Sequence, residues 1–267
     1  MLLQIPPGTL LNELREHVPL VHCITNYVAM NIAANVLLAV GASPAMVHAE
    51  EETAEFAKIA GALTINIGTL SSGWLRGMEA AAIAARQSGK PWVLDPVAHY
   101  ATSFRRAAAD RLIELGPTIV RGNASEIIAL AGGAYRGKGV DSGDGVEHAE
   151  YSARLLADRH GAIVAVTGAV DFITDGKRAV RVEGGSALMP QVTALGCSLT
   201  CLVGAFAAAR PDAPFDATVA ALATFAVAGE LAASRSEGPG SFSWRFLDAL
   251  ATVDGPCLDH SAKVAVA

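Results

Sequence analysis

The stretch PWVLDPVAHYATSFRRAAADRLIELGPTIVRGNASEI, residues 91–127, decides the fold. Two short apolar runs, Trp92–Leu94 and Thr118–Val120, are predicted strands, and the alanine-rich segment Ser103–Leu115 between them is a predicted helix. A strand, a helix and a second strand in this order form a parallel pair that is crossed by the helix. Continuous apolar strands are typical of a sheet that is covered by helices on both faces.

The same alternation of strand and helix extends in both directions from this stretch. Repeated β–α units predict an α/β fold with a central, mainly parallel sheet flanked by helices on both faces. The predicted strands are Pro19–Ile24, Ala45–His48, Leu63–Ile67 and Ala162–Thr167, followed by a hairpin of Asp171–Thr174 and Ala179–Glu183 around an Asp175-Gly176 turn. The other predicted helices are about Asn26–Leu38, Glu51–Ile59, a segment from Ser71 or Ser72 to Gln87, one that starts after Asn123, Glu147–Arg159, Gly196–Ala209, Asp216–Ala233 and Ser241–Leu250, with the remaining C-terminal part also expected to be helical.

Length and composition narrow the class of protein. The 267 residues carry a formal net charge of −6, and 52% of them are hydrophobic while 17% are charged. This composition excludes a disordered chain and a broadly basic nucleic-acid-binding surface. There is no Pro/Ser-rich linker or internal repeat, and the glycine-rich loop at 136–145 is too short to separate domains, so 1–267 is predicted to be a single domain.

Cysteine usage and the apolar segments predict a cytoplasmic protein with no membrane partner. The four cysteines have neither a disulfide-scaffold pattern nor zinc-ligand spacing, so we expect reduced thiols. The N-terminus lacks the basic region and long apolar core of a signal peptide. Residues 184–209 are uncharged, but glycines and Pro190 interrupt them, so we expect a loop, a strand and a buried helix there.

Polar segments follow five of the predicted strands: Cys23–Asn26, Asn66–Thr69, Asp95–Val97, Arg121–Glu126 and Val166–Gly168. In sheets of this kind ligands bind beyond the carboxyl ends of the strands. Asp95 and Glu126 offer the oxygen ligands that Mg²⁺ prefers, directly or through water. Arg121 presents a fork of donors for phosphate oxygens, and Thr167 supplies a hydroxyl beside a permissive glycine. The pattern indicates a site for a metal-bound phosphate.

A sixth polar segment opens the long apolar helix near residue 196. The turn Ala194–Cys197 places successive backbone N–H groups at a helix N-terminus, where they favour the charge that develops on a transferred phosphoryl group.

Each feature also has a structural alternative. Asn123 and Glu126 fit a helix capping box, Asp95 before a proline is an ordinary strand terminator, and Cys197 fits a buried small apolar residue.

Seven segments, in order and over nearly the whole chain, resemble the hydroxyethylthiazole kinase family. They are PLVHCITNYVAMNIAAN (Pro19–Asn35), LLAVGASPAMVHAEEE (Leu37–Glu52), TINIGTL (Thr64–Leu70), PWVLDPVA (Pro91–Ala98), IVRGNASEIIALAG (Ile119–Gly132), GAIVAVTG (Gly161–Gly168) and RSEGPGSFSWRFLDAL (Arg235–Leu250). The resemblance implies a ribokinase-like fold and ATP-dependent phosphorylation of the primary hydroxyl of 4-methyl-5-(2-hydroxyethyl)thiazole, with Mg²⁺, in thiamine biosynthesis and salvage. It also implies a homotrimer with active sites between adjacent subunits.

The resemblance assigns roles to individual residues of this chain. Met46, in SPAM, matches the family's thiazole contact, and Asn26, in the TN segment, lies near the same pocket. A polarizable thioether suits a sulfur heteroaromatic ring, although a core methionine is the alternative. Arg121 and Thr167 match the family's ATP contacts. The motif formed by Asn123 and Glu126 matches the Asn-x-x-Glu that organises Mg²⁺ and phosphates in such kinases, and Asn123 is assigned to ATP binding.

The chain departs from the family in the turn before the apolar helix. The family pattern Gly-Thr-Gly-Cys is replaced by Ala194-Leu195-Gly196-Cys197. The backbone amide of Ala194 still reaches substrate in this reading, but a positive φ at this position would cost alanine about 1 kcal/mol or more. Cys197 stands where related kinases use aspartate, and a helix N-terminus is expected to lower its pKa and let it serve as the catalytic base.

Two other functions compete with the thiazole kinase. A kinase of the same fold for another small alcohol, such as a hydroxymethylpyrimidine, is disfavoured by Cys197 and by the SPAM segment. A ligand-binding protein without turnover is favoured by the altered turn alone, whereas Asp95, Arg121 and Glu126 oppose it.

Overall fold

The computed structural model describes residues 3–133 and 146–267, so the glycine-rich loop predicted at 136–145 lies outside the described residues. Within this part of the chain, nine strands form one sheet in the order β2-β1-β3-β4-β5-β6-β7-β8-β9. The first six pair in parallel and the last three are added in antiparallel pairs. The strands are β1 (Leu20–Ile24), β2 (Ser43–Ala45), β3 (Ala62–Asn66), β4 (Trp92–Asp95), β5 (Ile119–Asn123), β6 (Ile163–Thr167), β7 (Val170–Thr174), β8 (Ala179–Glu183) and β9 (Lys263–Val266).

Helices cover both faces of the sheet, as the apolar strands predict. The described helices are α1 (Pro7–His17), α2 (Met30–Val40), α3 (Glu50–Ile59), α4 (Ser72–Gln87), α5 (Ser103–Glu114), α6 (Ala124–Leu130), α7 (Val146–His160), α8 (Leu195–Ala209), α9 (Pro214–Ala233), α10 (Pro239–Thr252) and α11 (Gly255–Ser261). One apolar cluster joins one face to α1, α2, α8, α9 and α10, and a second joins the other face to α3, α4, α5 and α7. The predicted α/β architecture is therefore confirmed.

Local sequence explains where several helices begin. The Ser71 side chain accepts a hydrogen bond from the backbone N–H of Trp74, which confirms it as the cap of α4. Thr102 caps α5 in the same way through the N–H of Arg105. These caps fix the start of each helix just beyond the carboxyl end of a strand.

The structure corrects the expectations at both ends of the chain and in two internal segments. The C-terminal part contains α11 and the strand β9 rather than helix alone, because KVAV pairs antiparallel with β8 at the sheet edge. The N-terminal helix α1 was not predicted. The second strand ends at Ala45 instead of His48, and residues 184–194 form turns and a short 3-10 helix instead of a strand.

One helix among the described residues, Pro214–Ala233, is long and apolar enough to cross a membrane by length and composition. However, 89% of its apolar window is buried inside the molecule, where it packs against α8 and α10. Its hydropathy is that of a central core helix.

Candidate active site

The carboxyl ends of neighbouring strands bring the predicted residues together at one edge of the sheet. The parallel register pairs Asn66 with Asp95, at the ends of β3 and β4, and Asn123 with Thr167, at the ends of β5 and β6. The N-terminus of α8 lies beside them, because a Cβ at Gly196 would be 3.5 Å from Nη2 of Arg121. The site is thus built from strand ends and one helix start.

Asp95 is fully buried at the centre of the site. Its Oδ2 accepts hydrogen bonds from Nδ2 of Asn66 (2.7 Å) and from Oγ1 of Thr200 (2.6 Å), and Nη1 of Arg121 lies 3.6 Å away. Its Oδ1 is enclosed and has no hydrogen-bond partner within residues 3–133 and 146–267. Burial raises the pKa of Asp95 above its ordinary value, against the opposing effects of Arg121 and the two hydrogen bonds.

Glu126 is buried and closes the capping box that the sequence offers as an alternative. Its Oε2 accepts from the N–H of Asn123 (2.8 Å), the Asn123 side chain accepts from the N–H of Glu126 (2.9 Å), and Oε1 accepts from the N–H of Ala98 (2.9 Å). Burial, and then the nearby charge of Asp95, raise the pKa of Glu126 to about 7. The capping interpretation is confirmed. The same carboxylate is also close enough to Asp95 for the negative charge of Asp95 to raise its pKa.

Asp95 and Glu126 fit a magnesium ion held partly by other ligands. No cluster of three or more His, Cys, Asp or Glu side chains that could hold a metal occurs in residues 3–133 and 146–267. Mg²⁺ commonly binds through one or two carboxylates, with waters and substrate phosphates completing its shell. The unpartnered buried Oδ1 of Asp95 is an oxygen that a cation or its water would satisfy.

Arg121 and Thr167 form a polar pair beside the start of α8. Nη2 of Arg121 donates to Oγ1 of Thr167 (2.5 Å), and that hydroxyl lies 3.3 Å from the carbonyl oxygen of Gly122, to which it donates. The buried Nε of Arg121 has no hydrogen-bond partner in the part of the chain that the structure describes. The guanidinium is held between Asp95 and Thr167, and N–H donors remain for a ligand.

The turn that opens α8 has a left-handed residue at its start. Ala194 caps the helix at φ 60° and ψ 12°. The condition under which alanine is strained at this position is therefore met, whereas glycine would adopt this φ freely. The backbone N–H of Leu195 donates to the carbonyl oxygen of Val192 (3.2 Å), so the N–H groups that α8 offers a ligand are those of the following residues of its first turn.

Cys197 corrects an expectation about its acidity. The thiol was expected to have a lowered pKa at the helix N-terminus. Burial, followed by the charge of Asp95, instead raises its pKa to about 11. Desolvation of the thiolate and the nearby carboxylate outweigh the helix dipole, so Cys197 is a neutral thiol at pH 7.

Asn26 connects Cys197 to the rest of the site. Its Nδ2 donates to Oδ1 of Asn66 (2.8 Å) and to Sγ of Cys197 (3.4 Å), while its Oδ1 accepts from the N–H of Ala29. Met46 follows β2, which pairs in parallel with β1, and therefore lies along the same edge of the sheet. It is half-buried and packs against the apolar cluster that includes α2 and α8.

Three residues of this network were not singled out as site residues from the sequence. Asn66 belongs to a polar strand end that was noted, but nothing in it distinguishes an amide that binds Asp95. Thr200 lies in an apolar stretch of sequence. The sequence feature that could have indicated it is its spacing of three residues from Cys197, which puts both on one side of α8. Arg105 donates to the carbonyl oxygens of Ile67 (2.8 Å) and Val97 (3.0 Å), and also to that of Gly68.

A sequence profile described as "Hydroxyethylthiazole kinase family" matches residues 11–255. The chain belongs to the hydroxyethylthiazole kinase family.

Individual members of the hydroxyethylthiazole kinase family are similar to the chain over almost its full length. The chain is 72% identical over 258 residues to a hydroxyethylthiazole kinase of Rhizobium rhizogenes. This alignment covers 97% of the chain and 96% of the relative. The solved hydroxyethylthiazole kinase of Pyrococcus horikoshii OT3 superposes with a TM-score of 0.90 at 42% identity, covering 98% of each chain.

A more distant structure extends the likeness of fold beyond the hydroxyethylthiazole kinase family. The pyridoxal kinase of Staphylococcus aureus in complex with ADP superposes with a TM-score of 0.66 at 15% identity, covering 94% of this chain and 99% of that one. At this identity the likeness concerns the fold alone, and it supports the ribokinase-like architecture expected from the sequence.

Proposed function

We propose that this chain catalyses ATP-dependent phosphorylation of the primary hydroxyl of 4-methyl-5-(2-hydroxyethyl)thiazole, a reaction of thiamine biosynthesis and salvage. Full-length similarity to proteins described as hydroxyethylthiazole kinases carries this proposal. The geometry agrees with it, because one sheet edge joins a cationic fork, two carboxylates and the N-terminus of α8.

In this proposal the ATP phosphates lie between Arg121 and the start of α8. Arg121 neutralises phosphate charge with its remaining N–H donors, Thr167 holds the guanidinium in place, and Asn123 binds ATP at the neighbouring strand end. The free N–H groups of the first turn of α8 stabilise charge on the transferred phosphoryl group. Phosphoryl transfer depends mainly on such positioning and charge stabilisation.

Asp95 and Glu126 would hold the magnesium ion that accompanies ATP. When bound, the ion would neutralise charge that develops on the phosphate. Asp95 would offer its Oδ1, which has no partner among the described residues, whereas both oxygens of Glu126 already accept backbone hydrogen bonds and would act through water.

Replacing Glu126 tests this assignment. We expect Glu126→Gln to lower kcat by at least about tenfold, the low end for loss of one electrostatic element. The variant also loses part of the capping box, so the free energy of unfolding must be measured beside kcat. Wild-type turnover at saturating Mg²⁺ in a folded variant would remove Glu126 from the mechanism.

The alcohol is proposed to bind between Met46, Asn26, the amide of Ala194 and Cys197. Met46 supplies a polarizable contact for the thiazole ring. The neutral Cys197 thiol, held by Asn26 at 3.4 Å, orients the hydroxyl as its oxygen forms a bond to the γ-phosphorus and the bond to ADP breaks. Little proton transfer is needed before that bond breaks, because the transition state is loose.

We also propose that the chain is a single domain and a cytoplasmic homotrimer whose active sites lie between subunits. Tyr27 and Val28, directly after Asn26, are 65% and 58% exposed, and a neighbouring subunit would cover them. The free cysteines are compatible with a reducing compartment. A fully active monomer in light scattering at assay concentration would contradict the trimer.

The proposed reaction is tested by mixing the pure protein with Mg-ATP and the thiazole alcohol. Formation of ADP and of the alcohol phosphate in equal amounts is the expected result. Hydroxymethylpyrimidine serves as the comparison substrate. A higher kcat/KM for the pyrimidine, or no product from either alcohol, would contradict the proposal.

A further inference from the structure

The two oxygens of the Asp95 carboxylate have different environments. Oδ2 accepts two short hydrogen bonds, from Asn66 and Thr200, and lies 3.6 Å from Nη1 of Arg121. Oδ1 is equally enclosed but has no partner among the described residues. A buried carboxylate oxygen is costly to leave unsatisfied, so this asymmetry reserves Oδ1 for a ligand.

Thr200 donates its hydroxyl across the site rather than within its own helix. Buried threonines on α9 illustrate the ordinary arrangement: Thr218 and Thr224 donate to the carbonyl oxygens of Pro214 and Ala220, one turn earlier (both 2.7 Å). Thr200, which is fully buried on α8, instead donates to Asp95 at 2.6 Å. The hydroxyl therefore ties the helix that opens the phosphate site to the carboxylate of β4.

Asn66 has an amide orientation that its neighbours fix. Its Oδ1 accepts from the backbone N–H of Gly68 (2.9 Å) and from Nδ2 of Asn26 (2.8 Å), so its Nδ2 must face Asp95. The same Asn26 Nδ2 also reaches Sγ of Cys197 at 3.4 Å. The Asn66 side chain thus contacts both Asp95 and Asn26, and Asn26 in turn contacts Cys197 at the proposed alcohol site.

We propose that Asn66 and Thr200 are positioning residues that saturate Oδ2 of Asp95 and thereby present Oδ1 to the divalent cation or to a water on it. The inference rests on the proposed function, because the cation accompanies ATP. Hydrogen-bonding partners behind a metal ligand typically change metal affinity or activity 10–100-fold when they are removed. A fixed carboxylate loses no rotamer freedom when it meets the cation.

The hydroxyl of Thr200 allows a matched test. Thr200→Val keeps the shape of the side chain and removes the donor, Thr200→Ser keeps the donor, and Thr224→Val removes a buried helix hydroxyl away from the site. The dissociation constant of Mn²⁺ is measured by electron paramagnetic resonance in the presence of a non-hydrolysable ATP analogue. We expect weakening of about 10–100-fold in Thr200→Val, at most about threefold in Thr200→Ser, and no change in Thr224→Val.

Steady-state kinetics supply a second readout. The Mg²⁺ concentration for half-maximal kcat is expected to rise in Thr200→Val by a similar factor, while the KM of the alcohol changes less than threefold. Asn66→Ala is expected to weaken Mn²⁺ binding in the same direction.

Three results would overturn the proposal. They are an unchanged Mn²⁺ affinity in folded Thr200→Val, an equal loss in Thr200→Ser, and an equal loss in the Thr224→Val control. A wild-type protein that binds Mn²⁺ with the ATP analogue but does not phosphorylate the thiazole alcohol would contradict the proposed function alone, since the Thr200 comparison still decides the role of the hydroxyl.

Discussion

Ala194 is one residue whose backbone conformation conflicts with its side chain. At φ 60° a Cβ costs about 1–2 kcal/mol, a strain that glycine avoids. We expect Ala194→Gly to stabilise the protein by up to about 1 kcal/mol and to raise kcat by up to about fivefold, because the first turn of α8 would reach its geometry without strain. Chemical denaturation and steady-state kinetics measure the two effects.

Val18 offers a control that separates strain from catalysis. It has φ 45° at the end of α1, far in sequence from the site, and is 55% exposed. Val18→Gly is expected to stabilise the protein by a similar amount while leaving kcat unchanged. If Ala194→Gly changes neither stability nor kcat, the left-handed turn is not strained in a way that affects the enzyme.

Cys197 separates hydrogen bonding from proton transfer. Because burial raises its pKa to about 11, the thiol is protonated near neutral pH and contributes mainly by orienting the hydroxyl. We expect Cys197→Ala to lose about tenfold or less in kcat, the worth of one orienting hydrogen bond, with little change in ATP affinity, and Cys197→Asp to retain or gain activity because related kinases carry aspartate there. Steady-state kinetics with the thiazole alcohol measure both.

Opposite results would change the role assigned to Cys197. Complete inactivity of a folded Cys197→Asp variant would mean that the thiol packs in an apolar environment rather than facing the alcohol. An unchanged kcat in Cys197→Ala would mean that Cys197 has only a packing role. Cys201, buried one turn later, is an example of such a packing cysteine.

Sequence reasoning at this scale placed residues at strand ends but failed where the surroundings decide a residue's properties. Arg121 and Thr167 lie together and are hydrogen-bonded to each other, while their contact with phosphate stays a prediction. The acidity of Cys197 was wrong, because the sequence shows the helix start but not the burial and the carboxylate beside it. Thr200 was missed, since an apolar helix conceals which hydroxyl turns inward to a charge.

At the scale of elements, one side chain of α5 holds two strand ends in register with the site. Arg105 donates to the carbonyl oxygens of Ile67 and Gly68 after β3 and of Val97 after β4. Lysine cannot reproduce this planar fork. We expect Arg105→Lys to destabilise the protein by about 1–3 kcal/mol and to lower kcat/KM for the alcohol, because these loops follow Asn66 and Asp95.

The adjacent Arg106 is the matched control for Arg105. It is exposed on the same helix, so Arg106→Lys is expected to stay within about 0.5 kcal/mol of the wild type. Urea denaturation measures both variants at one protein concentration. Equal stability of the two variants would show that the three carbonyl contacts do not hold the loops.

The elements themselves were predicted best where burial repeats along the chain. The strands β1, β3, β4 and β6 are largely apolar runs, so their existence and parallel pairing follow from the alternation with helices. The strand β9 is short and largely exposed, and its four residues acquire strand structure only by pairing with β8. Its existence depends on a tertiary contact that no local pattern indicates.

At the scale of the whole molecule, a buried histidine links global stability to pH. His22 is fully buried in β1, and its ring packs edge-on against that of Phe56. Its Nε2 donates to the carbonyl oxygen of Val47 (2.7 Å), while its Nδ1 has no hydrogen-bond partner among the described residues. Burial lowers the pKa of His22 to about 4, against the smaller effect of that hydrogen bond. The native state therefore holds the imidazole neutral, with its proton on Nε2.

The sign of the pH effect follows from this depressed value. Above pH 6.5 neither folded nor unfolded imidazole is protonated, and the stability contribution of His22 is fully present. As the pH falls from 6.5 towards 4, the imidazole binds a proton in the unfolded chain but stays neutral in the native state. The free energy of unfolding therefore decreases. Between pH 7 and pH 5 the decrease from this group is about 2 kcal/mol, at 1.36 kcal/mol per unit.

Replacing His22 separates its contribution to the pH dependence of stability from that of the other titratable groups. His22→Gln can still donate to Val47 but does not titrate, so it is expected to lose about 2 kcal/mol less than the wild type between pH 7 and pH 5, whatever its stability at pH 7. Urea denaturation at fixed protein concentration measures both proteins, since the stability of an oligomer would depend on concentration. Parallel curves for wild type and His22→Gln would mean that β1 admits the charged imidazole, and the acid sensitivity of the fold would then have to arise elsewhere.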